Sequence, residues 1–156
     1  MKALIDTCVV IDFLQKREPF AATSKEIFFA AATDQFSGYI TAKSATDIYY
    51  LMHRCTHSDK ASRKMLNQLF SLIGMLDTSA EDIFHALTSE TTDFEDAVMI
   101  ETAIRTHVDY LITRNTKDYA KSPVPVCTPV QFMEILKNGT PHSRYFSDGL
   151  GVPNFL

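Results

Sequence analysis

Short apolar runs that alternate with helical patterns constrain this chain more than any other feature. The clearest case is Thr92 to Tyr119, TDFEDAVMIETAIRTHVDYLITRNTKDY. Ala97, Ile100, Ile104 and Val108 recur at spacings of three and four, the period of an amphipathic helix. Asp93, Asp96, Ile100, Ala103 and His107 make an adjacent stripe at the same spacing, which puts Asp96 in the first turn. Tyr110 to Thr113 (YLIT) then reads as a short buried strand, ending in the polar loop from Arg114 to Asp118. The same order recurs upstream. Lys2 to Asp6 (KALID) is an apolar strand that runs into a helix with Val9, Val10, Phe13 and Leu14 inward. Gly38 to Thr41 (GYIT) is a second strand, opening a helix that carries Asp47, Ile48, Leu51, Met52 and Cys55.

Helix and strand alternating in this way predict a three-layer α/β/α sandwich around a central, mainly parallel sheet. The remaining segments fit that plan. A helix is predicted from Pro19 to Thr33, with the proline in its first turn, and another from Ser58 to Ile73. Gly74 to Thr78 is a weak strand and Ala80 to Ser89 a helix. Val124 to Cys127 is a last strand, and Pro125 makes it an edge. Thr128-Pro129 starts a helix through Leu136. Residues 1–136 therefore form one domain, and 137–156 a polar C-terminal tail that ends in apolar residues (Val152, Phe155, Leu156).

At 156 residues the chain has the length of one domain. Its three cysteines, Cys8, Cys55 and Cys127, are widely spaced and form neither a disulfide framework nor a zinc pair, so free thiols in a reducing cytoplasm are expected. Asp6 and Asp12 interrupt the only N-terminal apolar run, and no stretch has the length of a membrane span. A net charge of −4 argues against a general nucleic-acid coat protein. It does not argue against a nuclease whose metal ions offset its own carboxylates.

In a parallel sheet the carboxyl ends of the strands and the first turns of the following helices share one rim, where ligands bind. Four separate segments place acidic residues there: Asp6, Asp47, Asp93 with Asp96, and Asp118 with Asn115 beside it. Each alone is explained as a helix cap or a complement to the helix dipole. Together they would repel one another without a cation among them, and an all-oxygen set selects Mg²⁺ or Mn²⁺ over zinc. Such ions serve phosphodiester hydrolysis. Basic residues near the rim and on the helix after Ser58 (Lys43, Arg63, Lys64, Arg114 and Lys117) are the candidate RNA contacts, although Arg63 and Lys64 equally suit a solvated face.

LIDTCVVIDFL, TAKSATDIYYL, DFEDAVMIETA and YLITRNTKDY, in this order and spacing, resemble the PIN domain of VapC-type toxin ribonucleases. The resemblance covers residues 1 to about 136. It implies that Asp6, Asp47 and Asp96 are functional residues, with Asn115 or Asp118 at a fourth position and Thr113 lining the same pocket. Thr7 is a further pocket candidate. In the family the second position is more often glutamate and the fourth commonly acidic, and here Asp47 and Asn115 stand in those places. The implied activity is a metal-dependent endoribonuclease, the toxin of a toxin–antitoxin pair, restrained by an antitoxin protein. The apolar tail end and the Tyr49/Tyr50 doublet point to a shared surface, so a homodimer is expected. The alternative is a PIN scaffold with weakened metal ligation that serves as a nucleic-acid- or protein-binding module. An aspartyl phosphatase would want an aspartate where Cys8 stands. A phospho-accepting receiver would want paired acids after the first strand and a lysine after the last. His53 and His57 lack the glutamate of a zinc-protease helix and read as surface residues.

Overall fold

The computed structural model describes residues 1–139, so the C-terminal tail expected at 137–156 lies almost wholly outside the described residues. In chain order the elements are β1 (Lys2–Ile5), α1 (Thr7–Gln15), α2 (Ala21–Ala32), β2 (Ser37–Thr41), α3 (Ala42–Thr56), α4 (Asp59–Phe70), β3 (Gly74–Leu76), α5 (Ala80–Ala86), α6 (Phe94–Arg105), β4 (Tyr110–Ile112), β5 (Val126–Cys127) and α7 (Pro129–Gly139). The five strands make one sheet in the order β3-β2-β1-β4-β5, with every neighbouring pair parallel. All five strands expected from the sequence are present.

Alternation along β1 divides the core between the two faces. Ala3 and Ile5 pack into the larger cluster, with Val9, Val10, Ile27, Phe28, Ile48 and Phe132 from the helices on that side. Leu4 points the other way, with Leu111, onto Met99, Ile100 and Ala103 of α6. Strands buried on both faces are apolar throughout, which is why KALI and YLI show no polar alternation. Gly74 lies opposite Tyr39 in the β2–β3 pairing, and a Cβ there would come within 2.6 Å of the Tyr39 ring. Only glycine lets the ring cross that strand. β5 is an edge strand, and Leu111 donates its N–H to the carbonyl of Pro125, which has no N–H of its own to give.

Several element boundaries differ from the sequence reading. Pro19 lies before α2 rather than in its first turn, because the turn closed by the Phe20 N–H on the Arg17 carbonyl delays the helix to Ala21. α4 ends at Phe70, short of Ile73, and α7 runs on past Leu136 to Gly139. His107 does not continue the α6 stripe: the helix ends at Arg105, and His107 turns the chain in the left-handed region at φ 54°. Among the described residues no helix is long and apolar enough to cross a membrane.

The strand order positions the site. From β1 the chain steps to β2 and β3 on one side, then returns to place β4 on the other side of β1. The winding direction therefore reverses between β1 and β4, and the crevice beyond their carboxyl ends is where such sheets bind ligands. Asp6 and Thr113 are the first residues past those ends.

Candidate active site

Register brings Asp6 and Thr113 together. Ile5 lies opposite Ile112, and the Asp6 N–H donates to the Ile112 carbonyl at 2.9 Å. The Thr113 hydroxyl donates to Asp6 Oδ2 at 2.7 Å, and the Cys8 thiol donates to the same oxygen at 3.0 Å. Asp6 is also the N-cap of α1, accepting at Oδ1 from the Cys8 N–H at 3.4 Å. One carboxylate thus both caps the helix and faces the crevice. Burial, and then the Asp6 charge, push the Cys8 thiol up to about 11, so it stays protonated and able to donate.

Asp96 reaches the same place from α6. Asp93 caps that helix, taking the N–H groups of Glu95 and Asp96, and leaves Asp96 in the first turn. The buried Tyr119 hydroxyl donates to Asp96 Oδ1 at 2.7 Å. Burial pushes the Asp96 carboxyl up to about 6; the Tyr119 bond opposes this, while the charges of Asp6, Asp93 and Asp118 add to it. Asp6 and Asp96 both border a cavity of about 150 Å³ with Thr7, Lys43, Asp47 and Tyr119. Both also border a wider opening of about 520 Å³ with Arg114, Asn115 and Asp118.

Asp47 lies in the second turn of α3 rather than at its start, because Thr41 caps the helix on the Ser44 N–H. It enters the cavity held by Lys43, whose ammonium lies 2.7 Å from Asp47 and 2.9 Å from Glu95. Burial works against that ammonium, but the two carboxylates outweigh it and raise Lys43 above its ordinary range. Asn115 and Asp118 form a unit: the Asn115 side-chain amide donates to Asp118 Oδ2, and the Asp118 N–H donates to the Asn115 carbonyl at 3.2 Å. The Asn115 N–H in turn donates to Thr113 Oγ1 at 3.0 Å, tying this loop to Asp6 through one hydroxyl.

The remaining candidates are placed elsewhere. Asp93 is spent on capping and borders a separate depression with Lys117, Asp118 and Lys121. Arg63 and Lys64 are exposed on α4 and border neither cavity, and Arg63 is paired with Asp59 at 2.8 Å. Tyr119, Cys8 and Glu95 border the crevice without having been singled out in the sequence. Tyr119 carried no signal beyond lying next to Asp118, since a tyrosine in a polar loop is ordinary. Among the described residues no three His, Cys, Asp or Glu side chains stand together as a ready coordination cluster. The donor chemistry nevertheless suits a hard cation: Asp6 and Asp96 share both cavities, and Asp96 is raised by burial first and then by the negative charges of Asp6, Asp93 and Asp118.

A parallel sheet with carboxylates gathered at its switch point is the architecture of the PIN domain, and the family model for that domain matches residues 2–117. The chain belongs to the PIN-domain family, a family of nucleases that generally use divalent metal ions. Its fold is similar to that of VapBC2 from Rickettsia felis bound to a promoter DNA fragment, with a TM-score of 0.63 and 16% identity over 82% of this chain and 98% of that one. A toxin–antitoxin complex from Klebsiella pneumoniae is similar at TM-score 0.61 and 24% identity, covering 81% of this chain and 97% of that one. VapC20 from Mycobacterium tuberculosis, a toxin that cleaves the sarcin-ricin loop, is similar at TM-score 0.62 and 12% identity, covering 76% and 94%. At these identities the likeness concerns the fold. No curated protein matches the chain by sequence.

Proposed function

We propose that this chain is a metal-dependent endoribonuclease, and the toxin of a toxin–antitoxin pair. The observation that carries this is the sharing of two cavities by Asp6 and Asp96, brought from distant parts of the chain to the switch point of the sheet. In this reading Asp6 and Asp96 hold Mg²⁺ or Mn²⁺, with Asp118 completing the set and Asn115 orienting it. A bound divalent ion supplies water activation and stabilises the departing oxygen. The chain's own groups do the rest. Thr113 and Cys8 fix the Asp6 carboxylate by donating to Oδ2, and Tyr119 fixes Asp96. Asp47 orients the attacking water and takes its proton. Lys43 offers the scissile phosphate an ammonium, and Arg114 and Lys117 supply further positive charge at the wider opening and its border. The toxin assignment rests on the likeness to proteins described as VapBC and as a toxin–antitoxin complex. It implies an antitoxin partner and a homodimer.

The test is cleavage of mixed RNAs by the full chain with Mn²⁺, Mg²⁺ or chelator, alongside Asp96→Asn. Cleavage that needs the metal and disappears in the variant supports the reading; full activity in Asp96→Asn sinks the mechanism. One observation favours the alternative of a binding module with weak metal ligation: Lys43 already occupies Asp47 and Glu95 as an internal cation. Mn²⁺ separates the two, because an ion that binds the folded chain raises its melting temperature.

A further inference from the structure

Beside the wider opening lies a second hollow of about 360 Å³, walled by Pro19 and Phe20 before α2 and by Pro129 and Val130 at the start of α7. That is the size range of a small-ligand pocket. Phe20 and Arg114 border both this hollow and the opening that contains Asp6 and Asp96, so the two spaces meet at this pair. The Arg114 guanidinium carbon lies 4.3 Å from the Phe20 ring centroid, a stacked cation–aromatic pair. Arg114 Nε stands 2.8 Å from Asp12 Oδ2 without hydrogen-bond alignment, so the fully buried Asp12 holds the guanidinium by charge.

The hollow also contains an unanswered polar group. Ser24 is 1% exposed, borders the hollow, and its hydroxyl makes no hydrogen bond to any described residue. Buried hydroxyls are nearly always hydrogen-bonded, within a helix commonly to a carbonyl one turn back. Here the Phe20 carbonyl is taken by the Ser24 N–H at 3.0 Å, and the hydroxyl bonds to neither it nor anything else described. Walls of proline, valine and the threonines Thr23 and Thr128, one aromatic–guanidinium platform and one buried orphan hydroxyl match a flat heterocycle with a polar edge. Single-stranded RNA is recognised in this way, by unstacked bases laid on aromatic or guanidinium planes and hydrogen-bonded at their edges.

We propose that this hollow is a subsite for one unpaired nucleobase of the RNA, adjoining the nucleotide whose phosphate lies at Asp6 and Asp96. The base stacks on the Phe20–Arg114 pair, the Ser24 hydroxyl bonds to its edge, and Arg114 holds the phosphate between the two nucleotides. The proposal rests on the ribonuclease reading, and it restricts cleavage to single-stranded or looped RNA.

The test is a short single-stranded RNA with 2-aminopurine walked through successive positions, mixed with the full chain in chelator so that it stays intact. Fluorescence reports stacking, anisotropy reports binding, and a separate assay with Mn²⁺ reports cleavage. One position is expected to be strongly quenched, and annealing a complementary strand abolishes the quenching. Phe20→Ala removes the platform, and Val130→Trp fills the hollow from a position that is 56% exposed and easily substituted. Each is expected to weaken the quenched complex about five- to a hundredfold, the usual worth of one stacked base. Phe20→Trp restores it, and the Mn²⁺-dependent rise in melting temperature stays the same in all three variants. RNA that is bound and cleaved with no position quenched, or with Val130→Trp indifferent, overturns the subsite and leaves the nuclease standing. Variants that change sedimentation but not quenching assign the hollow to a protein segment and also overturn the proposal. A chain that neither binds nor cleaves RNA overturns the nuclease reading and the subsite together.

Discussion

Asp96 is the carboxylate in the crevice whose environment most opposes its charge. Its pKa of about 6 lies above that of an unfolded aspartate, near 4, so the stability this group contributes while protonated is complete below about pH 4 and is lost as pH rises from there through about 6. Asp96→Asn keeps an oxygen for the Tyr119 hydroxyl and removes the charge. The metal-free variant is therefore expected to melt higher than the parent above about pH 6, by an amount that shrinks as pH falls from about 6 to about 4 and vanishes below about pH 4, as thermal scans at pH 3.5 and pH 7.5 will show. Thr113 acts differently. Its hydroxyl is fully buried, donates to Asp6 and accepts from the Asn115 N–H, so two parts of the site hang on one atom. Thr113→Val leaves both partners short and is expected to cost about 1–3 kcal/mol of stability in denaturant titration. By calorimetry it is expected to weaken Mn²⁺ binding roughly ten- to a hundredfold, as loss of a group that orients a ligand does. Thr113→Ser restores both.

At the scale of elements, the α5–α6 pair is held by a charge network well away from the crevice. Ser79 and Asp82 form a reciprocal capping box at the start of α5. The Asp82 carboxylate, 1% exposed, also accepts from Arg105 at 2.7 and 2.9 Å and from the Thr102 hydroxyl at 2.9 Å. Burial opposes its charge, but Arg105, the Ser79 N–H and Thr102 outweigh that and hold the carboxyl below the usual aspartate range. The stability it contributes is complete above the unfolded aspartate pKa, near 4, and is lost as pH falls through the lower folded value. Asp82→Asn is expected to cost about 3 kcal/mol at pH 7, the lower end for breaking a buried pair because Arg105 keeps some contact with water. The gap between parent and variant narrows below about pH 4 in urea titrations. Because α6 carries Asp96, the same variant tests whether the α5 clamp keeps that helix in register with the crevice.

At the scale of the whole molecule, the sheet packs helices on both faces and still leaves large apolar side chains in solvent. Phe29, Phe84 and Leu87 are each about two-thirds exposed, and Tyr50 nearly as much. Exposed apolar side chains mark a protein interface where they adjoin one another. The homodimer is expected in sedimentation at micromolar concentration, and a monomer throughout counts against it. On the proposed ribonuclease reading, a chain of net charge −4 would attract RNA only through local basic groups, so weakening of RNA binding by salt is expected to be shallow, reflecting few phosphate contacts. Charge reversal at Arg63 and Lys64, which lie away from both cavities, is expected to leave that binding nearly unchanged, whereas reversal at Lys43 or Arg114 abolishes it.

The sequence by itself determined the class of fold and the positions of its acidic residues. Apolar runs such as KALI and YLI, too short for helices and apolar on both faces, belong in a covered parallel sheet, and each ends at a polar residue at the rim, Asp6 or Thr113. These are local properties of spacing and caps, and they survive folding unchanged. What the tertiary structure alone decided is which groups meet. That Thr113 and Cys8 share one oxygen of Asp6 depends on β1–β4 register, which no local pattern encodes. That Tyr119 serves Asp96 depends on the path of a loop. Asp47 and Asp93 looked alike in the sequence, each an acid near a helix start. Folding sent Asp93 to its own cap and gave Asp47 to Lys43, because Thr41 rather than a later residue satisfied the free N–H groups of α3. Long-range pairing and competition among caps assign these roles, and both are properties of the packed chain.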